Sequence, residues 1–301
     1  MFFSASLCAP LRLCGEAFSF FLKTLKTEVT ARHNLRWCAL AVYANFRFQA
    51  LEMRTIFNFG RSAAPVMNIP VQASVPELRD AQMAAIYHGQ RICGDFYDFL
   101  RVSPTRVLFA LLDVAGRLDQ NREIVFAAQE TFRTAGAELL GEDAGNEAEA
   151  MIEICIRLNR TILKTSGSVC SSPAFAGCYN EAVRTVCYFN AGHTPGLVLD
   201  RRGTTELAAT SLPLGLFSHS TSDAPYIALA PGSVLLVVSR GIIEARRKGE
   251  EFGLDRVKES LERDQRENAK EICTHLVAKV QEFMGRPPEH NDVTALALTQ
   301  G

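Results

Sequence analysis

The sequence predicts an α+β domain built as two stacked antiparallel β-sheets flanked by helices, an αββα sandwich. Three observations carry that expectation. Strand-length apolar runs begin at residue 80, and four segments repeat apolar residues every three or four positions. The order is strands, two helices, a strand meander, two helices and a last strand.

Gln82 to Ile92 reads as a strand and Phe96 to Arg101 as a second. Ser103-Pro104-Thr105 makes a turn, and Val107 to Val114 is an apolar run that contains Asp113 near its end. The result is a hairpin with acidic residues at its open ends. Two helices follow. Around 120–140, Ile124, Ala128, Phe132, Ala135 and Leu139 share a face; around 148–164, Met151, Cys155, Leu158 and Ile162 do. Ala174 to Tyr179 and Thr185 to Asn190 flank a turn, and Gly196 to Leu199 precedes the turn Asp200-Arg201-Arg202-Gly203. Tyr226 to Leu229 and Val234 to Ser239 flank Pro231-Gly232. Helices are expected over 254–264 and 268–284, the second stopped by Gly285 and Pro287-Pro288, and Val293 to Leu298 is the last strand.

Composition narrows the function classes. With 301 residues, 48% hydrophobic and 22% charged, the chain can bury a substantial core. A net charge of −1 supplies no field that would draw it to nucleic acid or anionic lipid. The nine cysteines show no CxxC pair or zinc-type spacing. Cys93, Cys155, Cys170, Cys178, Cys187 and Cys273 sit mostly in apolar runs, as buried reduced thiols do. No apolar stretch approaches the ~20 residues of a bilayer span. Arg12 and Glu16 interrupt what would be a signal-peptide core, so a cytoplasmic, soluble protein is expected.

Residues 1–66 differ from the rest, with eight Lys/Arg against three Asp/Glu and no sustained period. Three readings stand: a poorly ordered basic arm, a short regulatory or membrane-touching helix, or upstream sequence before a start at Met53 or Met67. Residues 67–301 form the expected domain.

Asp95, Asp98, Asp113 and Asp292 all fall at strand ends, where rigidly held carboxylates can converge on a hard divalent cation or simply form turns. The words around them are more specific. Gly94-Asp95-Phe96-Tyr97-Asp98 and Asp113-Val114-Ala115-Gly116-Arg117 open an ordered series. Phe189-Asn190-Ala191-Gly192-His193-Thr194-Pro195, Leu212-Pro213-Leu214-Gly215-Leu216 and Leu229-Ala230-Pro231-Gly232-Ser233 continue it. Ser239-Arg240-Gly241-Ile242-Ile243-Glu244-Ala245, Phe252-Gly253 and Asn291-Asp292-Val293-Thr294 complete it. Over about residues 70–300 this series resembles the metal-dependent (PPM-type) serine/threonine phosphatases, in the branch of stage II sporulation protein E.

The resemblance implies hydrolysis of a phosphoserine or phosphothreonine protein by water activated between two Mn²⁺ or Mg²⁺ ions. It implies that Asp113 bridges both ions, that the Val114 carbonyl binds the second, and that Asp95 binds or orients that ion's waters. Asp113 and Asp95 are then the catalytic residues. It also implies a substrate class, often a phosphorylated anti-sigma-factor antagonist, and regulation by a separate protein.

Two departures concern the first ion. Arg240 and Asn291 stand where the family has aspartates. Asn291 retains a weak carbonyl ligand. A guanidinium ~4 Å from a divalent ion meets repulsion on the order of 8 kcal/mol at an effective dielectric of ~20. Arg240 is therefore expected to take the vacated metal position and pair with Asp113 and Asp292, leaving one metal or none. Cys93 and Leu118 replace glycines of the family pattern, which disfavours close backbone approach to an ion. Asp292 is an alternative ligand, but a one-residue shift from position 291 is expected to turn it to the opposite face. His193 is either a proton donor to a leaving alkoxide or a turn histidine bonded to backbone. Arg246-Arg247-Lys248 is either a contact for a phosphorylated partner or a solvated loop. The functional expectation is a phosphatase domain of uncertain turnover. The alternative is a pseudophosphatase that binds its partner without hydrolysis; a nucleic-acid or membrane adaptor built on the basic arm is the outside reading.

Overall fold

The computed structural model describes residues 74–89, 93–142, 145–219, 222–285 and 292–301, and for 93–94 and 115–120 the backbone alone. The chain divides into two units, Met1–Met67 and Asn68–Gly301. The three readings of residues 1–66, like those of Leu118, Asn291 and the Cys93 side chain, lie outside the described residues.

Two five-stranded antiparallel sheets form the centre. The first has the order β1-β12-β9-β6-β7, from Ala81–His88, Val293–Gln300, Val234–Val238, Gly196–Asp200 and Gly203–Leu207. The second has the order β2-β3-β4-β5-β8, from Cys93–Ser103, Arg106–Arg117, Ala174–Asn180, Thr185–Ala191 and Tyr226–Ala228. Helices α1 (Leu118–Leu139) and α2 (Glu147–Ser166) cover the second sheet. Helices α4 (Gly253–Arg263) and α5 (Ala269–Met284) cover the first, after a single turn, α3 (Arg240–Ile243), and a small hairpin, β10–β11 (Arg246–Arg247 and Glu250–Glu251). The αββα sandwich expected from the element order is the observed fold.

Strand alternation explains the layers. In β3, Val107, Phe109 and Leu111 enter the core between the sheets, while Leu108, Ala110, Leu112 and Val114 enter the core under α1 and α2. In β12, Leu296 and Leu298 face the other sheet and Ala295 and Ala297 face α5. Burial raises the thiols of Cys187 and Cys273 to about 12, as expected of inert core cysteines.

The helix ends follow from local chemistry. Asn146 accepts from the amides of Ala148 and Glu149 at the start of α2, and Gly167 closes it in the left-handed region (φ 62°). Asn268 and Glu271 form a capping box at α5. Three elements were not expected. β7 reads Gly-Thr-Thr-Glu-Leu and is largely exposed, so it lacks an apolar alternation. The α3 turn and the two-residue strands of β10–β11 are shorter than any period can show. Arg246-Arg247-Lys248 thus belongs to an exposed hairpin, with Arg246 paired to Glu251.

The same alternation sends Asp98 away from the strand-end carboxylates. It is fully buried on the helix side of β2, where Arg133 of α1 holds both its oxygens at 2.6 and 2.9 Å and Gln129 adds a bond of 3.2 Å. Removing Arg133 strands a buried charge, softened because that side chain is 39% exposed. Arg133→Ala is expected to destabilise by about 2–3 kcal/mol in urea denaturation, and Asp98→Asn on that background to restore part of the loss.

Candidate functional site

The rim of the inter-sheet core gathers the remaining candidates. Asp95 and Asp113 are directly opposite each other in the β2–β3 register. Both share the parity of Tyr97, Phe99, Phe109 and Leu111, so both point between the sheets. Thr294 of β12 arrives from the opposing sheet, and its hydroxyl donates to Asp95 Oδ2 at 2.9 Å. The Ser239 hydroxyl, at the end of β9, accepts from the Thr294 amide at 3.0 Å and donates to the Asp292 carbonyl at 3.3 Å. Val114 is opposite Gly94, its side chain in the helix-side core.

Arg240, the first residue of α3, brings Nη2 to 3.2 Å from Asp113 Oδ2. Its Nε lies 4.0 Å from Glu244 one turn on, and the side chain is half exposed. The expected pairing of Arg240 with Asp113 is thus observed.

Burial first, then the charge of Asp113 and that of Asp292, push the Asp95 carboxyl well above the usual range; the Thr294 and Ser239 hydroxyls pull it partly back. Asp113 is raised by burial, Arg240 opposes that, and Glu244 and Asp292 add to it. Asp292 therefore acts on both aspartates. The expectation that it turns away is overturned, because residues 292, 294, 296 and 298 share one parity and Thr294, Leu296 and Leu298 all face inward. Asp292 is 3% exposed and abuts Gly89, whose added Cβ would lie 2.4 Å from its Oδ1.

His193 follows β5 beside this rim. Its amide donates to Asn190 Oδ1 at 2.8 Å. The Thr194 hydroxyl donates to the Val238 carbonyl, so the proton shared between Nδ1 and Thr194 must sit on Nδ1. Nε2 is then a bare lone pair, buried and without a partner. Burial, and to a lesser degree Arg240, lower the imidazole to about 4. At neutral pH the imidazole is neutral, with Nε2 free to accept and Nδ1 turned to the Thr194 carbonyl.

A cation at Asp113 would meet the Arg240 guanidinium, 3.2 Å from that carboxylate. Among the described residues no cluster of three or more His, Cys, Asp or Glu side chains is disposed to hold a metal, and Arg240 occupies one face of Asp113. The Asp95–Asp113 pair retains carboxyl oxygens, the donor type of a hard ion.

A sandwich of this topology, with paired aspartates on its inner rim, defines the PPM-type phosphatase domain. The chain belongs to the stage II sporulation protein E (SpoIIE) family, which matches residues 103–300. Among curated relatives, Protein IcfG of Synechocystis sp. is 23% identical over 209 residues, 62% of this chain and 33% of the relative. The chain thus spans about a third of that relative's length. The SiaA-PP2C domain of Pseudomonas aeruginosa shares the fold with a TM-score of 0.60 at 17% identity, over 73% of this chain and 86% of that one. The RsbU and RsbW domains of Rv1364c from Mycobacterium tuberculosis give 0.58 at 19% identity, over 73% and 60%. No helix among the described residues is long and apolar enough to cross a membrane.

The depressed histidine makes a pH prediction. Unfolded, His193 takes a proton near pH 6.5, whereas the folded chain refuses it until about 4. The unfolded state therefore binds more protons as pH falls through that window. Stability is expected to drop by about 2 kcal/mol between pH 7 and pH 5 from this group alone. Urea midpoints at the two pH values should show that slope reduced in His193→Gln.

Proposed function

We propose that this domain recognises a phosphoserine- or phosphothreonine-bearing protein, with an anti-sigma-factor antagonist as the partner class, and that two-metal hydrolysis is lost in it. The observation that carries this reading is the 3.2 Å contact between Arg240 and Asp113, the carboxylate on which both ions of the family would rest. Arg240 is a tethered counter-charge: it neutralises Asp113 and offers its outward N–H groups to phosphoryl oxygens. It does not acidify water. On this reading the chain is a pseudophosphatase that works in signalling by binding, and a separate protein supplies its regulation.

A second reading has one specific observation behind it. Asp95 and Asp113 are both raised, by burial first and by neighbouring carboxylates as well, a shortfall of solvation and of nearby positive charge. One Mn²⁺ or Mg²⁺ held by Asp95, Asp113 and the Val114 carbonyl would make up that shortfall. When bound, such an ion neutralises phosphoryl charge and lowers the pKa of its water. In this chain Thr294 and Ser239 would orient Asp95, and Arg240 would hold Asp113 in place. Asn291 would contribute at most a weak carbonyl.

Hydrolysis of p-nitrophenyl phosphate in Mn²⁺ separates the two. The wild type is expected to be at least ~100-fold slower than Arg240→Asp/Asn291→Asp, which restores the two carboxylates of the first ion. Residual wild-type turnover that Asp113→Ala abolishes would favour the one-ion reading. Calorimetric titration of the full chain with Mn²⁺ should show one site or none, rising to two in the double variant. Two tight ions in the wild type would remove the role given to Arg240.

A further inference from the structure

Arg240 serves two carboxylates at once. Its Nη2 lies 3.2 Å from Asp113 Oδ2 and its Nε 4.0 Å from Glu244 Oε1, so one positive charge stands between two negative ones. A phosphoryl group that reaches this guanidinium therefore competes with both carboxylates for it.

The two competitors are held very differently. Asp113 is 6% exposed and paired within the β2–β3 register, and its amide donates to the Pro173 carbonyl at 2.9 Å. The Glu244 side chain is 44% exposed and follows directly on α3. Its amide donates to the Arg240 carbonyl at 2.9 Å, which fixes the backbone. Among the described residues Arg240 is the one ion-pair partner of its carboxylate. An exposed pair four residues apart is weak, and weaker still with the arginine on the N-terminal side. Glu244 also acts on Asp113: burial raises that carboxyl, Arg240 opposes the rise, and Glu244 adds to it. Asp113 cannot withdraw from Arg240, whereas Glu244 can swing into solvent at little cost.

We infer that Glu244 is a built-in stand-in for the partner's phosphoryl group, whose oxygen takes the place of Glu244 Oε1 beside Arg240 Nε. The inference rests on the recognition function proposed above and names where on Arg240 the phosphate sits and what it displaces. A phosphoserine carries close to two charges and three acceptor oxygens at neutral pH, enough to displace one carboxylate from an exposed guanidinium. A single carboxylate of the partner gains no such advantage, because Glu244 is already tethered at the site. Glu244 thereby holds down the affinity for every anion, and a phosphomonoester is the one equipped to overcome it.

The test uses the full chain and two forms of one peptide, carrying phosphoserine or unmodified serine. If Glu244 only held Arg240 in place, losing its charge would weaken phosphate binding; as a competitor, its loss strengthens it. Glu244→Gln should bind the phosphoserine peptide about threefold to fivefold tighter than the wild type does. The serine peptide and the Tm should be unchanged. In the wild type, the NMR signal of the Arg240 Nε–H group, assigned by its absence in Arg240→Lys, should move as the phosphoserine peptide binds. Weaker or unchanged phosphopeptide binding in Glu244→Gln would overturn the stand-in and leave the recognition function standing. So would an Nε–H signal that stays in place while the phosphopeptide binds, since the gain would then be one of net charge alone. Equal binding of the two peptides by both wild type and Glu244→Gln would overturn the recognition function, and the stand-in with it.

Discussion

Two aspartates placed opposite each other on the inner face of one hairpin set the problem that the rest of the rim answers. The β2–β3 register puts Asp95 against Asp113 where neither reaches bulk water freely. Two unit charges ~5 Å apart repel by about 3 kcal/mol at an effective dielectric of 20, before either is charged for its own burial. The chain responds with hydroxyls from the opposing sheet, at Thr294 and Ser239, and with one guanidinium, Arg240. Asp292 works against that response. The register itself has no slack, because a one-residue slip in β3 would put Asp113 under α1 and Leu112 between the sheets.

The four layers turn one strand pair into two electrostatic environments. On the inner face the aspartates meet at an open rim where a partner can arrive. On the outer face, three residues along β2, Asp98 is sealed under α1 by the Nε–Nη2 edge of Arg133. Sequence alone presents Asp95 and Asp98 as neighbours in one acidic word. Pleating separates them into a site carboxylate and a structural ion pair, so that β2 is held from both sides.

Much of this was legible before the structure. Long elements with a strong period appeared where expected, and their order alone implied the layers. The Asp95–Asp113 hairpin and the pairing of Arg240 with Asp113 followed from motif position and charge. The misses have physical reasons. β7 is an exposed polar edge, and α3 and β10–β11 are too short to develop a period. For Asp292 the neighbour at 291 is a misleading reference, and parity with Thr294 decides which way it faces. The tautomer of His193 depends on the Val238 carbonyl, 45 positions away in the chain. Nothing in the spacing of α2 marks Asn159. Its bonds to the Gly215 amide and the Phe217 carbonyl exist only once those residues fold over α2.

Whether an arginine can do a metal ion's work depends on charge and on attachment. A guanidinium brings one positive charge where a pair of divalent ions brings four, so Arg240 offsets one carboxylate, Asp113. It is also covalently fixed to α3 and holds no exchangeable water, so it can anchor an oxyanion but cannot deliver a nucleophile. On the reading proposed for this chain, a site altered in this way keeps the shape of a phosphatase and loses much of its attraction for phosphate. Affinity for a protein partner must then come largely from surface outside the carboxylate pair.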